Sequence, residues 1–476
     1  MRTTARLAGS SLLVLAGCLA SPPGGVGDGG LDIDAGLPPV ACEVPEDCPE
    51  NSDDTSCHCG QCATSDLDCP PSNLRYVAEG GSSAGCVPGP EQLALGLQLS
   101  CLRWSDGKVS CWGTNCNGQL GSGGEPSCPG DLSTKPSLVR VEAGGAPLEN
   151  VVSLKVGLRH ACALRSGGSV WCWGDNLAGK LGDGTAETIR SSPVQVIVED
   201  NSSPLGNIAV LAAGGHHTCA VDQDEIVWCW GDNDYYQLGI AGPGDHGAAV
   251  QLAGPPGWKS LSGGGLHTCG TRSVEESGPE TLWCWGRKTF GQIGNGTTGE
   301  PGEAAPVLVG YEDDLGTTLV PNAVGLGIDF SCAAVIGPSA LCWGRNIGHA
   351  LGDDPLPGGS DGENAAAARA VVLAAPSGIE QITAGGDFVC ARLGDHSLQC
   401  WGSNTLGQLG LGATSAPQPP TALDVDVVDV AAGTDHACAI TSDQRVICWG
   451  NNDQGQLGDD TQIARPAPTD VIGLCQ

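Results

Sequence analysis

The sequence predicts an all-β chain whose bulk is a seven-bladed β-propeller, and three observations lead there. The tripeptide Cys-Trp-Gly recurs seven times, starting at Cys111, Cys172, Cys229, Cys284, Cys342, Cys400 and Cys448, with its tryptophans 48 to 61 residues apart. Self-similarity at such a period marks an array in which each repeat is one supersecondary unit. Each Cys-Trp-Gly closes a short run of β-forming residues, and a second cysteine-bearing run precedes it, as Thr218 to Val221 precedes Ile226 to Gly231. Such paired runs with period-2 alternation read as hairpins. The 75 Gly and 32 Pro among 476 residues supply turns throughout, and no segment sustains a helical period.

Ahead of the repeats the chain divides by composition. Arg2 and Arg6 flank an apolar run, Leu7 to Ala16, that is too short to span a bilayer, so residues 1–17 read as an export signal. The run ends in Leu15-Ala16-Gly17-Cys18, which resembles the lipobox of bacterial lipoproteins. That resemblance implies a cleaved chain beginning at lipidated Cys18, anchored in the cell envelope at the outer membrane. The plain alternative is an ordinary signal peptide. Residues 18–41, rich in Pro, Gly and Asp, form a flexible tether. Residues 42–70 crowd Cys42, Cys48, Cys57, Cys59, Cys62 and Cys69 into a segment too small for a core. In an exported chain these six predict three disulfides of open connectivity, with zinc as the competitor because Cys59 and Cys62 have ligand spacing. Residues 71–92 read as a Gly/Ser/Pro linker, and 93–476 as the propeller.

Within the propeller every unit follows one plan. An apolar run ends in glycine, the two cysteine-bearing strands follow, a Gly-rich turn comes next, and a Pro-led run such as Pro193 to Val198 closes the unit. In Trp171-Cys172-Trp173 both indoles point to one face of the sheet, where a bulky ring repeated once per unit fills the space between blades. No good Pro-led run precedes Leu93, so the last one, Pro466 to Ile472, is expected to complete the first blade and join the two ends.

Gly-x-x-His-x-Cys-Ala, then Val-Trp-Cys-Trp-Gly-Asp-Asn, then Gly-Gln-Leu-Gly resembles the regulator of chromosome condensation repeat family. The best local matches are 157–182, 214–239 and 433–458, and the resemblance runs from Leu93 to Cys475. It implies a seven-bladed propeller. It also offers two functional precedents: nucleotide exchange on a small GTPase in eukaryotic members, and enzyme binding by one propeller face in secreted β-lactamase inhibitory proteins of similar build.

The hairpin geometry predicts one disulfide per blade: Cys101–Cys111, Cys162–Cys172, Cys219–Cys229, Cys269–Cys284, Cys332–Cys342, Cys390–Cys400 and Cys438–Cys448. The alternative is a set of small buried apolar cysteines. Cys116–Cys128 and Cys86–Cys475 would complete the pairing.

Several chemistries are excluded. A net charge of -33 repels nucleic acid and anionic membrane surfaces, leaving the membrane to the lipid anchor alone. Four histidines, His160, His217, His267 and His436, share one repeat position, but the other units place Leu99, Phe330 and Phe388 there. A position that accepts Leu or Phe is a packing position, so no metal is expected. Gly81-Ser82-Ser83-Ala84-Gly85 matches a nucleophile elbow only in letters, since its strand-turn-helix context is absent. The expectation is therefore a non-enzymatic monomer without cofactor, binding a protein or glycan. Exchange activity and a purely structural envelope role are the alternatives.

The turn after each Cys-Trp-Gly carries variable residues at a fixed place. Asp and Asn suit such turns, whereas Tyr235, Tyr236, Arg287, Lys288, Phe290 and Arg345 depart from the pattern and have the chemistry of interface anchors. They are the candidate binding residues. For the N-terminus, mass spectrometry of the mature protein is expected to find a diacylglyceryl-modified Cys18 and no peptide upstream of it. An unmodified N-terminus further downstream refutes the lipobox reading.

Overall fold

The computed structural model describes residues 88–474, apart from 127–129, 142–143, 186, 201, 243, 274–277, 311–319, 336–338, 353–361 and 374–376. It also describes the backbone of short strands in a separate N-terminal unit, where Cys57–His58 pairs with Gln61–Cys62 and Asn73–Val77 with Ala84–Pro88. That second pair lies inside the stretch read as a linker, where Leu74, Tyr76 and Val77 supply β-forming side chains. Cys18, the tether, and the pairings Cys116–Cys128 and Cys86–Cys475 each involve residues outside the described ones.

Seven four-stranded antiparallel sheets follow, each built from four consecutive strands. They span 90–138, 151–195, 208–251, 258–308, 321–372, 379–423 and 427–470, here blades 1 to 7. Blade 1 starts at Pro90, within the expected linker, because Gln92 belongs to its innermost strand Pro90–Leu95. The second and third strands hold the cysteines directly opposite each other, with Cα atoms 4.1 Å apart in Cys101–Cys111 and in Cys438–Cys448, and all seven blades carry this disulfide. Closing a ten-residue loop this way contributes about 2.7 kcal/mol on the chain-entropy estimate.

Ring closure differs from the expectation. The last strand, Arg465–Asp470, pairs with Val446–Gly450 of its own blade, and blade 1 supplies its own fourth strand, Leu132–Leu138. No strand is exchanged. The physical reason is that every blade, the first included, follows its Gly-rich turn with a fourth strand of its own, Pro136 lying within that of blade 1, so none is left incomplete. Blade 7 meets blade 1 through the same contacts that join any neighbours.

Those contacts centre on the repeated tryptophan. Trp112, Trp173, Trp230, Trp285, Trp343, Trp401 and Trp449 are fully buried. In six of them the indole N–H donates across to a loop carbonyl of the preceding blade: Trp173 to Gln119, Trp285 to Gln237, Trp343 to Gln292, Trp401 to Ala350, Trp449 to Gln408 and, across the seam, Trp112 to Gln456, at 2.9–3.1 Å. Two residues beyond that carbonyl sits a glycine at positive φ against the indole edge. A Cβ on Gly458 would lie 2.8 Å from Trp112, and one on Gly121 2.8 Å from Trp173. The apolar core is accordingly distributed between blades, with Trp173 of blade 2 packed among Cys101, Val109 and Leu120 of blade 1.

At the centre, innermost strands approach so closely that only glycine fits. A Cβ on Gly96 would fall 2.3 Å from the Gly157 carbonyl, and one on Gly433 2.5 Å from that of Gly96. The open edges of these strands are satisfied by side chains of the neighbouring blade. The Gln381 amide binds both Val430 N and O, the Gln92 amide binds both Leu154 N and O, and the Asp429 carboxylate accepts from Leu93 N at 2.8 Å. Edge groups that would otherwise invite foreign strands are thereby occupied.

The four histidines are part of the same seams. Each Nε2 lies 2.7–2.9 Å from a hydroxyl of the next blade: His436 with Ser100, His160 with Thr218, His217 with Thr268 and His267 with Ser331. Each hydroxyl donates its own proton to a loop carbonyl, Ser100, Thr268 and Ser331 to the indole acceptors Gln456, Gln237 and Gln292, and Thr218 to Lys180. It must therefore accept from His Nε2–H, which leaves Nδ1 unprotonated and without a partner. The three apolar members of the ring face apolar partners instead, Leu99 toward Ala161, Phe330 toward Val389 and Phe388 toward Ala437 by repeat position.

Burial pushes His217, His267 and His436 from the ordinary 6.5 down to about 3, and His160 is also driven well below 6.5. With the folded-state value depressed, stability is complete above 6.5 and drains away as pH falls toward about 3. Each histidine then removes up to about 1.4 kcal/mol per pH unit. Urea denaturation is expected to show a midpoint that drops steeply from pH 7 to pH 4. The paired replacement His436→Phe with Ser100→Ala, copying the Phe388 and Ala437 pair, should make that slope measurably shallower. An unchanged slope refutes this account.

Candidate binding face

The first-to-second and third-to-fourth strand loops lie at the same end of every blade. Seven backbone bonds fix this, among them Arg287 N to Leu266 O, Arg345 N to Asp329 O and Asn451 N to Asp435 O. The face so formed has the channel mouth at its centre and the turns after Cys-Trp-Gly around it.

Those turns are braced from within. In six blades an asparagine accepts from the backbone N–H five residues on, as Asn233 does from Leu238 and Asn452 from Leu457. Blade 4 alone places Lys288 there, and its amine bonds Glu303 at 2.7 Å instead. A glutamine, as at Gln237 and Gln292, accepts from the N–H two residues before it. The Asn positions are thus structural, as their chemistry suggests.

Four of the six candidate residues meet in one stack across blades 3, 4 and 5. The Arg287 guanidinium lies 5.1 Å from the Tyr235 ring centre and 5.4 Å from that of Phe290, and Arg345 lies 4.9 Å from the Phe290 ring centre. Asp329, reached from the first-to-second strand loop of blade 5, holds both guanidinium groups, at 3.4 Å from Arg287 and 3.2 Å from Arg345. Glu300 adds a 3.8 Å contact to Arg287. Lys288 stands beside the stack, tied to Glu303. Tyr236 is not brought into the stack. It occupies a left-handed position, φ 65°, that glycine holds in five other blades, and its backbone closes the turn. The cations are therefore neutralised internally, and the face offers flat, fixed aromatic and guanidinium surfaces rather than free positive charge.

Sequence reasoning missed Asp329, whose link to Arg287 and Arg345 spans 42 and 16 residues. It also missed Leu158 and Ile328 at the channel mouth. They vary just after the ring glycines, a signal visible in the repeats. Asp232, Asp234 and Asp245 place carboxylate oxygens within 4.8 Å of one another beside Tyr235, and burial followed by Asp232 and Asp234 raises the Asp245 pKa.

Comparison with known proteins matches this architecture. A model of the regulator of chromosome condensation (RCC1) repeat matches 106–164, 167–221 and 395–440, and a second model of that repeat matches 151–180, 208–237, 379–408 and 427–456. The chain carries RCC1 repeats over 106–237 and 379–456. Human E3 ubiquitin-protein ligase HERC2 is 31% identical over 336 residues, which are 70% of this chain and 6% of HERC2. The Arabidopsis thaliana ultraviolet-B receptor UVR8 is 27% identical, over 58% of this chain and 60% of its own length. The chain thus spans less than two thirds of these curated relatives. The structures of human WBSCR16 and of Saccharomyces cerevisiae Prp20p each superpose with a TM-score of 0.64, at 18% and 19% identity, covering 77% and 80% of this chain and 95% and 87% of theirs. These two show the fold alone.

One RCC1 repeat carries a buried ion pair on this face. Lys180 replaces the bracing glutamine of blade 2 and bonds Asp175 at 2.8 Å, with the lysine side chain 1% exposed. Blade 6 makes the neutral version, Gln408 to Ser403 at 3.2 Å. Breaking a buried pair leaves one charge uncompensated and costs about 3–5 kcal/mol. Lys180→Met is expected to lower stability by that order in chemical denaturation, while Asp175→Ser with Lys180→Gln restores most of it. Equal stability of the single variant and the wild type refutes the assignment.

Proposed function

We propose that the chain is a non-enzymatic binding module, exported and lipid-anchored in the cell envelope, whose loop face engages a protein partner. The observation that carries this is the Tyr235–Arg287–Phe290–Arg345 stack across three blades. Arginine and aromatic side chains that are already immobilised lose little entropy on binding, and such residues dominate interface energetics. A rigid scaffold that carries its variable residues on loops is the usual arrangement for recognition. Support by analogy comes from Prp20p, whose structure is described with its binding properties to Gsp1p and histones. Those partners are not carried over: a net charge of -33 disfavours association with nucleic acid, and export separates the chain from cytosolic GTPases.

The test is affinity capture from native secretions and neighbouring cell surfaces, with the full chain as bait and cross-linking to locate the contact. For the captured partner, Phe290→Ala or Arg287→Ala is expected to weaken binding by about thirty-fold, or about 2 kcal/mol. A partner whose affinity is unchanged when Tyr235, Arg287, Phe290 and Arg345 are all replaced by alanine refutes this face.

A further inference from the structure

We infer that Lys155, on the innermost strand of blade 2, is a reactive amine inside the ring that takes small carbonyl compounds, short aldehydes above all, as imines. This goes beyond the binding-module reading and does not depend on it.

The amine differs from every other in the chain. The lysines are Lys108, Lys135, Lys155, Lys180, Lys259 and Lys288. All but one hold a carboxylate in direct contact: Lys108 with Asp106, Lys135 with Asp460, Lys180 with Asp175, Lys259 with Glu225 and Lys288 with Glu303. The Lys155 amine makes no ion pair and no hydrogen bond among the described residues. The side chain is half-buried, yet its Nζ is not sealed off and keeps contact with solvent.

Its place in the repeat says where that solvent is. Lys155 lies two residues before Gly157, the glycine that follows its strand Val151–Val156. The same place in the other blades holds Ala94, Ala212, Ser262, Gly325, Thr383 and Ala431, all small. The polar ones reach the innermost strand of the following blade: Ser262 donates from Oγ to Val324 O and Thr383 Oγ1 accepts from Ala432 N, each at 3.1 Å. A four-carbon side chain from this place overreaches that strand. The Asp429 carboxylate, on the innermost strand of blade 7, still acts electrostatically on the Lys155 amine. Blades 2 and 7 share no seam, since blade 1 lies between them, so this interaction crosses the interior of the ring.

Burial pushes the Lys155 pKa down from 10.5, and Asp429 opposes this only in part. A desolvated lysine with no ion pair to break offers its lone pair more readily than a paired one. Imine formation then balances without a further reagent. The Nζ lone pair attacks the carbonyl carbon, the C=O π pair moves to oxygen, and a proton passes from nitrogen to that oxygen. The carbinolamine hydroxyl takes a proton from solvent and leaves as water while the nitrogen lone pair forms the C=N bond. The product is a cation, and the Asp429 charge that favours an ammonium at Nζ favours it too.

Size sets the class of carbonyl compound. Val156 and Gly157, the next residues along, line a cavity of about 70 Å³ at the loop face, walled mainly by glycine. A reagent approaching from that side has to fit this space, which holds a few waters or a molecule of similar bulk.

The test treats the full-length chain with acetaldehyde and sodium cyanoborohydride at neutral pH and follows ethylation of each lysine by peptide mass mapping. Lys155 is expected to react first, at a rate about ten-fold above that of any other lysine. Pyridoxal phosphate, a bulky aldehyde, should spare Lys155 and mark the exposed Lys135. Unfolding in guanidinium should erase the preference. Lys155→Ala, which copies blades 1, 3 and 7, should fold normally and lose the fast adduct alone. Modification of Lys135 or Lys259 ahead of Lys155 overturns the inference. So does labelling of Lys155 by pyridoxal phosphate as fast as by acetaldehyde, or a preference that survives unfolding and so belongs to the neighbouring sequence. Each of these results leaves the loop-face reading in place.

Discussion

One contact, an indole N–H reaching the loop carbonyl of the preceding blade, sets most of what surrounds it. For that carbonyl to point into the next blade, the loop must turn tightly after Cys-Trp-Gly. The turn is held by asparagine below and glutamine beside it, and ends in a glycine against the indole edge. The same carbonyl has a second lone pair, which in blades 1, 4 and 5 is used by Ser100, Thr268 and Ser331, while Thr218 of blade 3 donates to the equivalent carbonyl of Lys180. That hydroxyl then has only a lone pair to offer, and histidine in the preceding blade supplies the proton. A whole column of residue choices follows from satisfying one buried acceptor. The exception is blade 3, where Trp230 Nε1 lacks a partner and the loop it faces carries Lys180.

This also explains how the ring closes without exchanging a strand. Trp112 to Gln456, His436 to Ser100, Asp429 to Leu93 N and Thr434 N to Gly96 O make the seam between blades 7 and 1 like the others. The period, the hairpins and the blade number were legible in the sequence because each blade repeats the same local solution. Closure was not legible in the same way. A periodic sequence does not show where the ring is cut, and Leu132–Leu138, with its single internal Pro136, looks less like a Pro-led strand than Pro466 to Asp470 does. The histidine column was read as packing because Leu and Phe alternate with it. The finer signal was the paired change in the neighbouring blade, Ser or Thr opposite His and Ala or Val opposite Leu or Phe, which only the register of adjacent blades turns into a contact.

The candidate face was legible in its residues and not in its electrostatics. Arg287, Lys288 and Arg345 stand out on an acidic chain, and from sequence alone they read as free positive charge. In the fold, Asp329, Glu300 and Glu303 lie within 4 Å of them. Long-range attraction of an acidic partner is weak for such a neutralised set, so affinity there depends on packing against immobilised rings and guanidinium planes. Asp329 was hidden because the ring, not chain proximity, brings it to Arg287.

The turns themselves divide the ring into two arcs. Blades 1, 6 and 7 keep the full pattern of Asn, two residues, Gly, Gln, Leu and Gly, at Asn115 to Gly121, Asn404 to Gly410 and Asn452 to Gly458. Blades 2 to 5 each break it: Lys180 for Gln, Tyr236 for Gly, Lys288 for Asn, and His349 with Ala350 for Gly and Gln. Tyr236 and His349 sit at φ 65° and 58°, where a side chain costs about 1 kcal/mol or more relative to glycine. The regular arc contains the seam between blades 7 and 1. The irregular arc contains the arginine–aromatic stack. The four departing blades are consecutive, and their departures lie on the face proposed above to meet a partner, where local regularity gives way to side-chain variety.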